Sequence, residues 1–296
     1  MKYLLLGGAG FVGTHLAKRL IKEGHEVTIV DSLVTSTRPT FHCDFVLGDI
    51  RDVYLDSYIK NTDVIYFLAG SVGVEHIDKH PKETLDNNIG LMNKLIPLFD
   101  KYKKPVVFSS TSEVYGEGPF VEDASLNIGA PTKLRWAYAC AKLMTEFSIA
   151  ASDFPYVIVR FFNVVGPGQL GDYGMVLPRM IRAAKNNEDI TVYGTGEQVR
   201  SFCHVSDAVE YLRRIESCYG EIFNLGSENP VTINHLAERV VSLTNSQSKI
   251  VHMPYEQAFS KNHGDIIKRV PDLTKLKYMT GYLAQYDLDA IIKDTI

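Results

Sequence analysis

Lys2-Tyr3-Leu4-Leu5-Leu6-Gly7-Gly8-Ala9-Gly10-Phe11-Val12-Gly13 lies at the start of the chain. A short, mostly apolar run that ends abruptly in glycine has the pattern of a strand buried on both faces. The glycines then recur as G-x-x-G-x-x-G. Such a turn lets the backbone approach a ligand closely and points the N-terminus of the next helix at it. Residues 11–23 continue with helical spacing and stop at Gly24. Strand, glycine turn and helix in this order predict the first unit of a doubly wound parallel sheet, with a phosphate group received at the turn.

The pattern repeats downstream. Residues 25–30 read as a second strand ending at Asp31, and residues 45–47 as a third, closed by Gly48-Asp49-Ile50. Residues 63–68 form a fourth, ended by Ala69-Gly70. A long helix is expected over 82–102, carrying Asn88, with Pro97 bending or shortening it. Strands at 105–109 and 156–160 flank a helix at 136–152. Strands and helices alternating at this spacing predict an α/β protein with a Rossmann-type doubly wound sheet. Beyond Asn163 the alternation loosens around Gly166-Pro167-Gly168 and from Gly171 to Gly174. The expected division is a dinucleotide-binding domain at 1–163 and a smaller C-terminal substrate-binding domain at 164–296. A segment near 200–227, with a strand at 221–225, should return to the main sheet.

Composition narrows the class. An apolar fraction of 45%, a charged fraction of 22% and a net charge of −4 describe a soluble globular protein without the basic footprint of a nucleic-acid or anionic-membrane binder. The N-terminus enters a strand at once and no apolar run is long enough to span a bilayer, so a cytoplasmic protein is expected. Cys43, Cys140, Cys203 and Cys218 have neither metal-ligand nor redox spacing, which predicts reduced thiols and no metal.

Asp31 ends the second strand about twenty residues after the glycine turn, where a carboxylate accepts hydrogen bonds from adenosine ribose hydroxyls. It would repel a 2′-phosphate, so NAD is expected rather than NADP; Arg38, the one nearby cation, reads as a solvated loop residue. Two further stretches carry chemistry. Tyr138-Ala139-Cys140-Ala141-Lys142 places a phenol and an ammonium on one helix face. Ser109-Ser110-Thr111-Ser112-Glu113-Val114-Tyr115-Gly116 follows the apolar run Pro105-Val106-Val107-Phe108.

Glycine turn, serine-rich strand end and Tyr-x-x-x-Lys, in that order, resemble the extended short-chain dehydrogenase/reductase family, whose members modify nucleotide sugars. The resemblance covers nearly the whole chain. It implies that Gly7, Gly10, Phe11, Val12 and Gly13 meet the pyrophosphate, that Asp49 and Ile50 line the adenine pocket, and that Leu68 and Ala69 pass beneath the cofactor. It also implies that Tyr138 removes a proton from the sugar 4-hydroxyl while Lys142 holds the nicotinamide ribose and tunes Tyr138. Tyrosine, with an ordinary pKa of about 10, needs that help at neutral pH. Thr111 stands where the family binds the reacting hydroxyl.

Finer resemblances point to a reaction. Thr111-Ser112-Glu113 is similar to the Thr-Ser-Glu of UDP-glucuronate decarboxylases; the 4,6-dehydratases read Thr-Asp-Glu, and simple 4-epimerases usually carry a small or neutral residue at the third position. Arg135-Trp136-Ala137-Tyr138 resembles the Arg-Trp-x-Tyr of bacterial decarboxylases rather than Ser-Pro-Tyr. Arg269, two residues before Pro271, matches the arginine those enzymes place beside the substrate carboxylate; it reads equally as a surface or phosphate-binding cation. Arg160 to Pro167 resembles Arg-x-x-Asn-x-x-Gly-Pro, which puts Asn163 at the substrate diphosphate. Val176, in Gly174-Met175-Val176-Leu177-Pro178, and Tyr193, in Ile190 to Gly194, stand in segments that enclose the nucleobase. Arg200 matches the arginine that grips the pyrophosphate, a task suited to a planar guanidinium. His204 reads as structural and Asp207 as a helix N-cap. The leading reading is NAD-dependent decarboxylation of UDP-glucuronate to UDP-xylose. The alternatives are a UDP-sugar 4-epimerase, a 4,6-dehydratase or, in another class, a non-catalytic NAD-binding sensor, which the intact Tyr138 and Lys142 argue against. The family also implies a homodimer through helices 82–102 and 136–152, with Leu91 and Phe147 as contacts.

Overall fold

The computed structural model describes residues 1–71, 73–171, 175–258 and 266–296, the side chains of 74 and 75 excepted. In chain order the strands are β1 (Lys2–Leu6), β2 (Glu26–Asp31), β3 (Asp44–Leu47), β4 (Val64–Phe67), β5 (Val106–Thr111), β6 (Tyr156–Phe161), β7 (Asn163–Val165), β8 (Ile190–Tyr193), β9 (Val199–His204), β10 (Glu221–Leu225), β11 (Pro230–Thr232), β12 (Ile250–Met253) and β13 (Lys268–Arg269). The helices are α1 (Phe11–Lys22), α2 (Asp56–Lys60), α3 (Val74–Lys79), α4 (Pro81–Tyr102), α5 (Trp136–Ala150), α6 (Val176–Lys185), α7 (Val205–Ile215), α8 (Ile233–Thr244), α9 (Tyr255–Ala258), α10 (Thr274–Thr280) and α11 (Leu288–Thr295).

Seven parallel strands make one sheet in the order β10-β6-β5-β4-β1-β2-β3. The strand order reverses between β1 and β4. In an open α/β sheet, that is where a crevice opens beyond the strands' carboxyl ends. Both faces of the sheet are apolar because both are covered. Tyr3, Leu5, Val27, Ile29, Tyr66, Val107 and Val159 pack with residues of α1 and α7 on one side. Leu4, Leu6, Val30, Ile65, Phe67, Phe108 and Ile158 pack with Leu91, Leu95 and Phe99 of α4 and Ile149 of α5 on the other. Neighbouring residues of one strand fall in opposite cores, as a period of two requires.

The expected return of residues 221–225 is met: β10 pairs with β6 at the sheet edge. The rest of the C-terminal half builds smaller sheets, β11-β9-β13 with β7 on β9, and β12 with β8. Val165, Leu177, Met180, Val192, Phe202, Leu236, Val240 and Ile291 give this part its own core.

Two local expectations are corrected. Pro97 does not shorten α4, which runs without a break from Pro81 to Tyr102. One missing backbone hydrogen bond is outweighed because Leu91 and Leu95 before it, and Phe99 after it, are buried against the sheet. Nor is Asp207 the N-cap of α7. His204 fills that position, its Nδ1 accepting from the Ser206 N–H at 3.2 Å. Asp207 is fully buried and accepts instead from the Tyr282 hydroxyl at 2.6 Å and the Gln285 and Tyr286 N–H groups, tying the C-terminal segment to α7. Among the described residues no helix is long and apolar enough to cross a membrane.

Candidate active site

The carboxyl ends of the main strands and the smaller sheets enclose a cleft of about 1330 Å³. Every site residue singled out above lines it, from the glycine turn through Asp31, Asp49, Ile50, Leu68 and Ala69 to Thr111, Glu113, Tyr138, Lys142, Asn163, Val176, Tyr193, Arg200 and Arg269. The nucleobase-segment residue Gly174 lies outside the described residues.

The dinucleotide half is fixed by close backbone packing. Gly7 has φ of +82°, and a Cβ there would lie 2.6 Å from the backbone of Ala69; one on Gly13 would lie 2.7 Å from that of Gly8. Only glycine fits either position, so turn, helix and β4 approach closely. Gly10 is the N-cap of α1 and offers no side-chain cap, and the first turn has no acidic residue, which leaves the N-terminal amides to an anion. Asp31 is buried and already accepts from the Ala9 N–H at 3.0 Å, the Leu33 N–H at 2.9 Å and the Ser36 hydroxyl at 3.0 Å. A carboxylate has about four acceptor sites, so Asp31 holds the loop and keeps room for a ribose hydroxyl. The exposed Arg38 stacks on Phe45, 5.1 Å from its ring centre. The Asp49 carboxylate is paired with Arg51. These features fit NAD.

The candidate catalytic pair, Tyr138 and Lys142, is positioned by a strand lying against a helix. Three consecutive residues of β5 each meet a residue of α5, and those α5 residues are one turn apart. Thr111 faces the Tyr138 phenol closely enough to favour its ionised form. The Ser109 carbonyl accepts from Lys142 Nζ at 2.8 Å. The Ser110 hydroxyl donates to Glu146. Burial draws the Lys142 ammonium down to about 7, against the nearby Glu146 carboxylate. Burial, and then the charge of Glu113, push the Tyr138 phenol well above its usual range, with the Thr111 contact opposing. The expected lowering of Tyr138 by Lys142 is therefore not met in this geometry: the ammonium is engaged at Ser109 while a carboxylate stands near the phenol.

That carboxylate belongs to the most unusual cluster in the cleft. Glu113 sits in a 3-10 turn after β5, its N–H donating to Thr111 Oγ1 at 3.2 Å. Arg135 donates to Glu113 Oε2 at 2.9 Å and Arg269 donates to Oε1. Arg269 also donates to Asn163 Oδ1 at 3.1 Å. Burial would raise the Glu113 carboxyl, but Arg269 and then Arg135 overcome it and hold the group at about 2. Two guanidiniums around one carboxylate leave a net charge of +1 beside the Tyr138 phenol. Arg135 itself stacks on Trp136, 4.7 Å from the ring centre.

On the far side, Arg179 stacks on Tyr193 at 4.3 Å and donates to the Thr191 carbonyl at 3.0 Å. Asn163 Nδ2 donates to the Ser201 carbonyl at 2.9 Å. His204 is structural, as expected: it is buried, 3.0 Å from Asp294, and stacked on Tyr286 at 3.8 Å. The motifs in the sequence include Arg135 and Arg160 but assign neither a role, and Glu146 falls outside them. For Glu146 a signal was available, since it lies four residues beyond Lys142 on the face that carries Tyr138.

Residues 3–226 match the NAD dependent epimerase/dehydratase family. A UDP-N-acetyl-alpha-D-glucosaminuronate decarboxylase of Bacillus cytotoxicus is 40% identical, over 99% of this chain and 96% of its own length. UDP-glucuronic acid decarboxylase 4 of Arabidopsis thaliana is 32% identical over 95% of this chain, which spans 65% of that longer protein. The solved structure of MoeE5 in complex with UDP-glucuronic acid and NAD is 27% identical, covers all of this chain and 97% of its own, and superposes with a TM-score of 0.87. The chain belongs to the NAD-dependent epimerase/dehydratase family.

Proposed function

We propose that this family member decarboxylates a UDP-linked hexuronate by way of oxidation at C4. The observation that carries the reading is the pair of guanidiniums, Arg135 and Arg269, beside Tyr138 with one carboxylate between them. A neutral hexose gives such a cluster nothing to bind, whereas a uronate brings the one negative charge that balances it. The names of the relatives, two of them uronate decarboxylases, support the same substrate class.

In the cycle, Tyr138 takes the proton of the C4 hydroxyl while Thr111 orients that oxygen. NAD, when bound, accepts the C4 hydrogen with its electron pair and returns it at the end. The resulting 4-keto sugar is a β-keto acid, so its carboxylate leaves as carbon dioxide with the electrons drained onto the C4 oxygen, where the protonated Tyr138 stands to receive charge. Lys142 orients the nicotinamide ribose, and its ammonium favours the phenolate form of Tyr138 once it turns from Ser109. Arg200 and Asn163 hold the diphosphate, and the Tyr193 side of the cleft holds the base. The uronate carrying a 2-acetamido group is the preferred substrate, on the strength of the 40% identical relative. A homodimer through α4 and α5 belongs to the same reading; Phe147 of α5 is 68% exposed although large and apolar, and Leu91 is buried against the sheet instead.

The test is incubation with NAD and either UDP-glucuronate or UDP-N-acetylglucosaminuronate, with products weighed by mass spectrometry. Release of carbon dioxide and a UDP-linked pentose is the expected result. An epimer of unchanged mass and no carbon dioxide from either uronate would replace the decarboxylase by a 4-epimerase.

A further inference from the structure

Decarboxylation of a carboxylate consumes a proton, because the C5–C6 bond is replaced by a C5–H bond. Tyr138 cannot supply it: the proton it takes from the C4 oxygen goes back to that oxygen when the carbonyl is reduced. Lys142 donates to the Ser109 carbonyl, 2.8 Å away, and in the cycle above turns from there to the nicotinamide ribose and Tyr138. Glu113 lies two residues beyond Thr111 and within electrostatic reach of the phenol, yet between two guanidiniums it holds no proton to give. We propose that the substrate's carboxylate displaces Glu113 from Arg269, and that the displaced Glu113 takes up one proton and delivers it to C5. The proposal rests on the uronate reading of the site.

Both terminal nitrogens of Arg269 are engaged. One terminal nitrogen donates to Glu113 and the other to Asn163 Oδ1 at 3.1 Å. Its Nε is buried and has no partner among the described residues. A uronate carboxylate that pairs end-on with both terminal nitrogens, through two parallel hydrogen bonds, takes the places that Glu113 and Asn163 hold. Glu113 is then left with Arg135 alone. The groups that face it are Arg135 and Tyr138 from the start of α5, Arg269 from β13 and Thr111 from β5. After the exchange only Arg135 still favours its charged form. Burial and a second carboxylate beside it both favour the protonated form.

The step balances. The C5–C6 bond breaks and carbon dioxide leaves; the electron pair forms an enolate across C5, C4 and the C4 oxygen. The Glu113 proton passes to C5, the enolate pair collapses to restore the C4 carbonyl, and Glu113, ionised again, recovers Arg269. The cluster thus returns to its starting charge once the substrate has lost its own.

Proton uptake on binding is the measurement. NAD-loaded protein carrying Tyr138→Phe, which halts turnover, is titrated calorimetrically with UDP-uronate and with UDP in buffers of differing ionisation enthalpy. Uptake approaching one proton per uronate and none with UDP is expected; adding Glu113→Gln should abolish the uptake and Glu113→Asp should restore it. Equal uptake for uronate and UDP, or uptake that survives Glu113→Gln, overturns the proposal. Because Glu113→Gln leaves two arginines without their carboxylate, the ligand comparison in protein with Glu113 intact stands as an independent test. In deuterated water, Glu113→Gln in an otherwise unaltered enzyme should release carbon dioxide from the first turnover yet accumulate reduced cofactor, since C5 waits for its proton; prompt return of the cofactor to its oxidised form would also overturn it. Failure of the decarboxylase reading looks different: the unmutated enzyme would then release no carbon dioxide at all.

Discussion

Arg269→Met keeps the length of the side chain and removes its charge, so it isolates what the guanidinium contributes. Arg269 and Glu113 are 13% and 16% exposed, and solvent screens them little. Folding takes the Glu113 carboxyl from its ordinary 4.5 to about 2, and at about 1.4 kcal/mol per tenfold change that difference is worth about 3 kcal/mol. Because the carboxyl is lowered in the folded state, the stabilisation is fully present above pH 4.5 and is lost as pH falls toward 2. Arg135 supplies part of it, and burial opposes both arginines. Arg269→Met should therefore cost about 1–3 kcal/mol at pH 7, the usual worth of one charge-assisted contact. Denaturant unfolding at pH 7, and again at the most acid pH the protein tolerates, measures it: the gap between parent and variant should narrow in acid. On the functional side, UDP-uronate affinity should fall by about 10- to 100-fold, while UDP binds as before. A stability loss of equal size at both pH values, or equal weakening of uronate and UDP, would refute the account of Arg269 as the charge partner of Glu113 and of the incoming carboxylate.

Tyr138→Phe should lower turnover by about 10²–10⁴-fold and leave NAD binding intact, which steady-state rates and cofactor titration would check. Asp31→Ala removes the acceptor of three loop hydrogen bonds as well as the ribose contact; NAD affinity should drop by about 10- to 100-fold, with a lower melting temperature even without cofactor. Lys142→Met should abolish turnover yet stabilise the cofactor-free protein by about 1–3 kcal/mol near pH 6. Burial holds the ammonium at about 7 against an ordinary 10.5, so the parent gains stability as pH rises between those values and the advantage of the variant should vanish above them in thermal melts.

The sheet was legible from the sequence because its strands are short apolar runs punctuated by glycine, and because the turn at Gly7 has only one geometry. The gathering of candidate residues in one cleft was legible where motif and backbone coincide, as at Asp31, Thr111, Tyr138 and Lys142. It was not legible where partners come from distant parts of the chain. Arg269 has a place in the site by resemblance, but nothing near Glu113 in sequence announces that the two pair, 156 residues apart. The same distance effect explains Asp207, which sits where a cap would but is recruited by Tyr282, Gln285 and Tyr286. Pro97 does not shorten α4 because the buried residues on either side of it outweigh its local propensity.

The buried ion pair beneath the catalytic groups raises a last question, why charge is kept there. Arg160 donates to the Glu146 carboxylate through Nε at 3.1 Å and Nη2 at 2.7 Å, and through Nη1 to the Glu122 carbonyl at 3.0 Å. Both partners are almost fully buried. Such a pair adds little stability compared with apolar residues of similar size, because desolvation cancels most of the attraction. It does provide direction. Glu146 also takes the Ser110 hydroxyl, so α5 is pinned along β5 and β6 at one register, and Tyr138 and Lys142 share that helix. A slip of about 1 Å would be enough to spoil the alignment of phenol and C4 hydroxyl. If register is the purpose, Glu146→Leu with Arg160→Met should fold with stability within about 2 kcal/mol of the parent, whereas Glu146→Leu alone should cost about 3–5 kcal/mol by stranding Arg160. The double variant should still bind NAD and UDP but turn over slowly, the loss falling on kcat rather than KM. A double variant with unchanged kcat would mean that apolar packing sets the register equally well, and that the buried charges serve something other than the alignment of Tyr138.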